Sequence, residues 1–159
     1  MGTMMSDMSH LAVVITGASS GVGRATAHAF ARRGARLALT ARAAGPLEEA
    51  AHECEEFGGR AIVVPADVTD PSAMRQLADA AAREFGGLDV WVNNAGLGVV
   101  SRFHEVPIEA HRRTVETNLL GRERHDMHSL ADRLWRSRGG KRWPSYRGRT
   151  RTAALGPPT

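Results

Sequence analysis

The chain is organised by short apolar runs that alternate with longer amphipathic ones. Leu11 to Ile15 is apolar at every position and ends at Thr16-Gly17. A run this short, without polar alternation, reads as a strand buried on both faces. Helical spacing then holds from about Val22 to Arg33 and stops at Gly34. The pattern repeats, with Arg36 to Ala41 as strand, Pro46 to Phe57 as helix ended by Gly58-Gly59, and Arg60 to Pro65 as strand. Pro71 to Phe85 is a third helix, with Asp70 as N-cap and proline at the first helical position. Leu88 to Val92 is a fourth strand, and a further helix is expected from Pro107 to about Gly121, with Ile108, His111, Val115 and Leu119 inward. Strand alternating with helix at this spacing implies an α/β fold: a doubly wound parallel sheet with right-handed crossovers, incomplete at about four strands.

Beyond Gly121 the regularity fails. Residues 122–159 contain no β-branched strand run and close with Gly156-Pro157-Pro158. The charge changes at the same place. Residues 1–121 carry 11 arginines against 14 acidic residues, a net charge of −3, whereas residues 122–159 carry ten basic residues against three acidic ones, a net of +7. Residues 1–9 hold four methionines without periodicity and are expected to be a flexible leader, in which Met4, Met5 or Met8 could equally be the start. The folded domain is therefore expected over residues 10–121, followed by a basic, irregular or disordered tail over residues 122–159. A shifted reading frame or truncated gene is the expected origin of that tail.

Composition adds little beyond this division. At 42% hydrophobic and 24% charged residues, the chain has the balance of a globular protein, and 159 residues suffice for one core. Its single cysteine, Cys54, allows no intrachain disulfide and no cysteine-based metal site, so a reducing, cytoplasmic setting is expected. No apolar stretch is long enough to span a bilayer, and residues 1–10 contain Asp7 and no apolar signal core, so neither membrane anchor nor export signal is expected.

The chemistry is concentrated where strands end. Thr16-Gly17-Ala18-Ser19-Ser20-Gly21-Val22-Gly23 lies between a strand and a helix. Glycines there permit a tight turn and close backbone approach, and the helix start offers free N–H groups and a positive dipole end, a combination suited to a pyrophosphate. Nineteen residues after Gly23 stands Arg42, at the end of the second strand, where a dinucleotide fold reads the adenosine ribose. An acid would bond the ribose 2′-OH, whereas arginine suits a 2′-phosphate, and no acid occurs until Glu48, which favours NADP(H) over NAD(H). Asp67-Val68 ends the third strand and Asn93-Asn94-Ala95-Gly96 the fourth, both at the carboxyl edge where open α/β sheets bind ligands.

These four signals, together with Asn118 in Asn118-Leu119-Leu120-Gly121, resemble the short-chain dehydrogenase/reductase family over residues 11–121. The resemblance implies a Rossmann-type NADP-binding domain and hydride transfer between NADP(H) and a small alcohol or carbonyl substrate. It implies that Gly17, Ser19, Ser20, Gly21, Val22 and Gly23 cradle the cofactor and that Arg42 selects NADP(H). It further implies that Asp67 and Val68 hold the adenine, that Asn94, Ala95 and Gly96 line the ribose side, and that Asn118 is the catalytic asparagine.

The family's remaining catalytic elements, a serine after a strand and a Tyr-x-x-x-Lys helix, do not match. The chain's one tyrosine, Tyr146, follows its one lysine, Lys141, and four residues after Tyr146 stands Thr150. Ser129, Ser137 and Ser145 follow no expected strand. A tyrosine near its ordinary pKa of about 10 is a poor acid-base catalyst at neutral pH, so impaired catalysis is expected. Two other classes compete with this reading. One is a noncatalytic NADP(H)-binding module, prone to self-association through an unfinished sheet. The other, disfavoured, is a nucleic-acid binder using Trp135 and Trp143 among the tail arginines. His125 and His128 are three residues apart without a third ligand, so no metal is expected.

Overall fold

A computed structural model of the protein describes residues 7–99 and 101–120. Four parallel strands form one sheet: β1 (Ala12–Thr16), β2 (Arg36–Thr40), β3 (Arg60–Val63) and β4 (Val90–Val92). Their order is β3-β2-β1-β4, so the chain steps outward from β1 through β2 to β3 and then returns to the opposite side of β1. This reversal creates a crevice at the carboxyl ends of β1 and β4, the place where open α/β sheets receive ligands.

The helices α1 (Gly21–Ala31), α2 (Ala44–Glu56) and α3 (Pro71–Phe85) cover the sheet on both faces. Alternation along each strand divides the core. Val13, Ile15, Leu37 and Leu39 pack with Ala27 and Ala31 of α1 and Leu47, Ala50 and Cys54 of α2. Ala12, Val14 and Ala38 point the other way, onto Met74, Leu77, Ala81 and Phe85 of α3. Each fully buried Val, Leu or Ile contributes about 1.5–3 kcal/mol of transfer free energy, which is why β1 is apolar at consecutive positions and not at alternate ones.

Local signals set the helix ends. The Asp70 carboxylate accepts from the Ser72 amide and caps α3, while Gly86 ends it in the left-handed conformation at φ 75°. The packed part of the chain begins before the expected boundary at residue 10, since the Met8 amide donates to the Arg33 carbonyl and Met8 packs on the core. Residues 1–6 and the whole expected tail, 122–159, lie outside the described residues, and with them the expectations for His125, His128, Trp135, Trp143, Lys141 and Tyr146.

The last helix corrects the sequence reading. α4 (Ile108–Val115) continues into a π-helical turn, Glu116–Leu120, and no residue of α4 is buried. Ile108 is 67% exposed, Val115 50% and Leu119 53%, so these three residues of the expected inner face are open to solvent, while His111 is half-buried. Helical spacing put these residues on one side of the helix, but no described element covers that side.

Candidate functional site

Thr16, the last residue of β1, is buried and ties the carboxyl end of β1 to that of β4. Its Oγ1 donates to the Val92 carbonyl at 3.3 Å and accepts from the amides of Asn94 and Ala95, each at 3.0 Å. The Asn94 side-chain amide donates back to the carbonyls of Thr16 at 3.0 Å and Gly17 at 3.3 Å. The glycine-rich turn after β1 and the Asn-Asn-Ala-Gly segment after β4 are thereby one hydrogen-bonded unit.

The glycines of the turn answer to close packing. Gly17 has φ +66°, and a Cβ there would lie 2.8 Å from the Ala95 Cα. A Cβ on Gly23 would lie 2.2 Å from the Gly17 carbonyl oxygen, so helix and turn approach as only glycine allows. Gly21 has φ +53° but faces open space. Ser20 precedes α1 in an extended conformation without a side-chain capping bond. The positive end of the helix therefore faces the cleft, uncapped by the Ser20 side chain. Beside it, the Arg24 guanidinium grips Glu53 of α2 at 2.6 and 2.8 Å and reaches the Ser19 carbonyl at 3.5 Å. Val22 is 74% exposed on the cleft side.

A cleft of about 460 Å³ opens at this edge. Of the residues singled out in the sequence, Gly17, Ser19, Ser20, Gly21, Val22, Arg42, Asp67, Val68, Asn94, Ala95 and Gly96 line it. Gly23 does not, and serves the turn from behind. Asp67 is fixed by its Oδ1, which accepts from the Thr69 amide at 2.9 Å and the Thr69 hydroxyl at 2.7 Å. Those bonds, and more weakly the charge of Arg42, hold the Asp67 carboxyl below the usual carboxylate range. Ala41, Ala43, Ala66, Leu97 and Thr117 also line the cleft and were not singled out. The alanines carry no chemical signal in the sequence.

Asn118 does not line the cleft. Within the π-helical turn its side-chain nitrogen donates to the Leu97 carbonyl and its Oδ1 accepts from the Leu97 amide, both at 2.7 Å. Both functions of the amide are thus spent on backbone. π-helical turns recur at functional sites because the changed register re-aims a side chain. Cys54 is buried, and burial pushes its thiol up to about 11, which makes it an inert core residue. Among the described residues no three His, Cys, Asp or Glu side chains gather as a metal site, and no helix is long and apolar enough to cross a membrane.

The model of the short chain dehydrogenase family matches residues 11–140. The chain belongs to the short chain dehydrogenase family. The family match runs past Gly121, where the regularity of the sequence ends. An 11-beta-hydroxysteroid dehydrogenase A of Sesamum indicum is 42% identical over 124 residues, which is 76% of this chain and 36% of that protein. An L-rhamnose 1-dehydrogenase (NAD(P)(+)) of Azotobacter vinelandii is 44% identical over 114 residues, 69% of this chain and 44% of that one.

Solved structures of the family agree. A short-chain type dehydrogenase/reductase from Mycobacterium marinum superposes with a TM-score of 0.73 at 35% identity, covering 84% of this chain and 53% of the other. An alcohol dehydrogenase from Thermococcus sibiricus, complexed with 5-hydroxy-NADP, gives 0.69 at 38% identity, covering 80% and 54%. The chain thus spans about half the length, or less, of these short chain dehydrogenase relatives.

Proposed function

We propose that the cleft binds NADP(H), and that the chain is the cofactor-binding half of an oxidoreductase whose substrate is a small alcohol or carbonyl compound. One observation carries this reading: the uncapped start of α1, Arg42 after β2, Asp67 after β3 and Asn94 to Gly96 after β4 all line a single cleft. The first-turn amides of α1 suit a diphosphate. The Arg42 guanidinium suits a 2′-phosphate, and Asp67 can accept from an adenine amino group. Asn94, Ala95 and Gly96 border the ribose side. The names of the relatives, which include hydroxysteroid, sugar and alcohol dehydrogenases, support the substrate class.

When bound, the nicotinamide supplies or accepts a hydride. The 159 residues contain no Tyr-x-x-x-Lys to move the matching proton. Asn118 acts as a positioning residue, holding the loop after β4 through Leu97. We therefore expect this chain to bind cofactor without turnover. The exposed Ile108, Val115 and Leu119 favour association between copies.

A ligand that binds only the folded state raises its stability, by about 2.7 kcal/mol at a hundredfold excess over Kd. NADPH should therefore raise the unfolding temperature of the purified chain, and NADH should do so less. No shift with either would remove the proposal. Oxidation of NADPH with a panel of aldehydes and ketones should stay at background, and clear turnover would overturn the noncatalytic part alone. Size-exclusion chromatography with and without NADPH reports the association.

A further inference from the structure

The hydrogen-bond ladder between β2 and β3 runs on past the ends of both strands. The Val64 amide donates to the Leu39 carbonyl at 3.0 Å, and the Ala66 amide to the Ala41 carbonyl at 3.0 Å. The next residue on each side is the charged one: Arg42 follows Ala41, and Asp67 follows Ala66. Both line the cleft. A guanidinium and a carboxylate thus stand on neighbouring, hydrogen-bonded segments at one end of the same cavity.

We infer that Asp67 limits how strongly this cleft prefers the 2′-phosphorylated dinucleotide, acting as a fixed negative charge beside Arg42. The inference rests on reading the cleft as an NADP(H) site. The two dinucleotides differ only in the 2′-phosphate, so a contact with adenine serves both equally. A carboxylate near Arg42 acts on the difference: it offsets part of the guanidinium charge and repels the phosphoryl group that Arg42 attracts. The carboxylate cannot easily turn away, because Oδ1 is held by both the amide and the hydroxyl of Thr69. It is ionised at neutral pH, and those same bonds hold its pKa below the usual carboxylate range. Asp67 is thus expected to serve two opposed purposes, aiding any adenine dinucleotide and penalising the one with the extra phosphate.

The test measures Kd for NADPH and for NADH on the full chain and on Asp67→Asn and Arg42→Ala, and compares their ratio. Asparagine keeps an Oδ1 acceptor for Thr69, so the turn is preserved while the charge is removed. Preference for NADPH over NADH should rise about three- to tenfold in Asp67→Asn, the scale of one charge removed at several Å in a solvent-exposed cleft. That gain should shrink at about 0.5 M salt, where screening acts over a few Å. Arg42→Ala should lower the ratio. If Asp67→Asn leaves the ratio unchanged or lowers it while Arg42→Ala collapses it, the cofactor reading stands and this inference falls. If neither dinucleotide binds the unaltered chain, both fall. Should Asp67→Asn fail to fold, Asp67→Ser, whose hydroxyl can still accept from the Thr69 amide, must give the same rise.

Discussion

Asn118 and Leu97 are joined twice, the side-chain amide of one bonding both the carbonyl and the amide of the other at 2.7 Å. The bridge spans 21 residues and pins the π-helical turn to the loop that follows β4. Asn118→Ala should lower stability by about 1–3 kcal/mol, because it leaves partly buried backbone groups unpaired. Asn118→Asp should cost at least as much, since a carboxylate oxygen would replace the donor that meets the Leu97 carbonyl. Urea denaturation of the three proteins checks the order, and a milder effect for aspartate would show that the donor is not needed.

The turn after β1 offers a steric contrast. Gly23→Ala would put a methyl 2.2 Å from the Gly17 carbonyl oxygen and 2.5 Å from the Asn94 side-chain nitrogen. Because one neighbour is backbone, relief requires the turn to move, with a cost of about 3 kcal/mol and weakened dinucleotide binding. Gly98→Ala, in the loop after β4, meets no atom within 4 Å outside its chain neighbours, and its φ lies outside the left-handed region. It should raise stability by up to about 1 kcal/mol by restricting the unfolded chain. Thermal unfolding of the two variants should therefore move in opposite directions.

Thr16 carries a comparable load through hydrogen bonds. Thr16→Val keeps the shape but removes the acceptor for the Asn94 and Ala95 amides, a loss of about 1–3 kcal/mol where such amides stay buried and unpaired. Thr16→Ser retains the hydroxyl and should recover most of this. Equal damage from both substitutions, read by chemical denaturation, would assign the role to the methyl group instead.

Glu53 gives the fold an acid-sensitive contact. Hydrogen bonding to Arg24 first, and also to His28, lowers its pKa from 4.5 to about 2. A carboxyl whose folded pKa is depressed stabilises the fold above its unfolded pKa, and the contribution fades as pH falls toward the folded value. The difference in melting temperature between the unaltered chain and Glu53→Gln should therefore be steady from about pH 7 to 5. It should then narrow from about pH 4.5 toward 2. A gap independent of pH across that window would show that the charge contributes nothing.

Much of the architecture was readable from local pattern. The expected strands and first three helices all exist, with ends shifted by a residue or two, and α3 occupies the expected Pro71–Phe85. β4 is shorter than expected at its start. The Asp89 amide donates to the Ala12 carbonyl at 2.9 Å and the Asp89 carboxylate accepts from the Ala12 amide at 2.7 Å, while the paired register starts at Val90. Legibility failed at α4, where periodicity described a common face on Ile108, Val115 and Leu119, but burial needs a partner that periodicity cannot supply. At Asn118 local pattern could not show that the amide is bonded to the backbone of Leu97, a residue 21 positions away.

By itself the amino-acid sequence determined the order of strands and helices, the glycine turn leading into α1 and the charged residues at the strand ends. All of these follow from apolar spacing, backbone freedom and side-chain chemistry within a few residues. Only the tertiary structure decided that Arg42 and Asp67 follow residues hydrogen-bonded to each other, that Thr16 locks the turn to Asn94, and that Asn118 faces backbone. Those relationships depend on strand pairing and helix packing between distant segments, where the free energy of the whole fold, and no local preference, selects which groups meet.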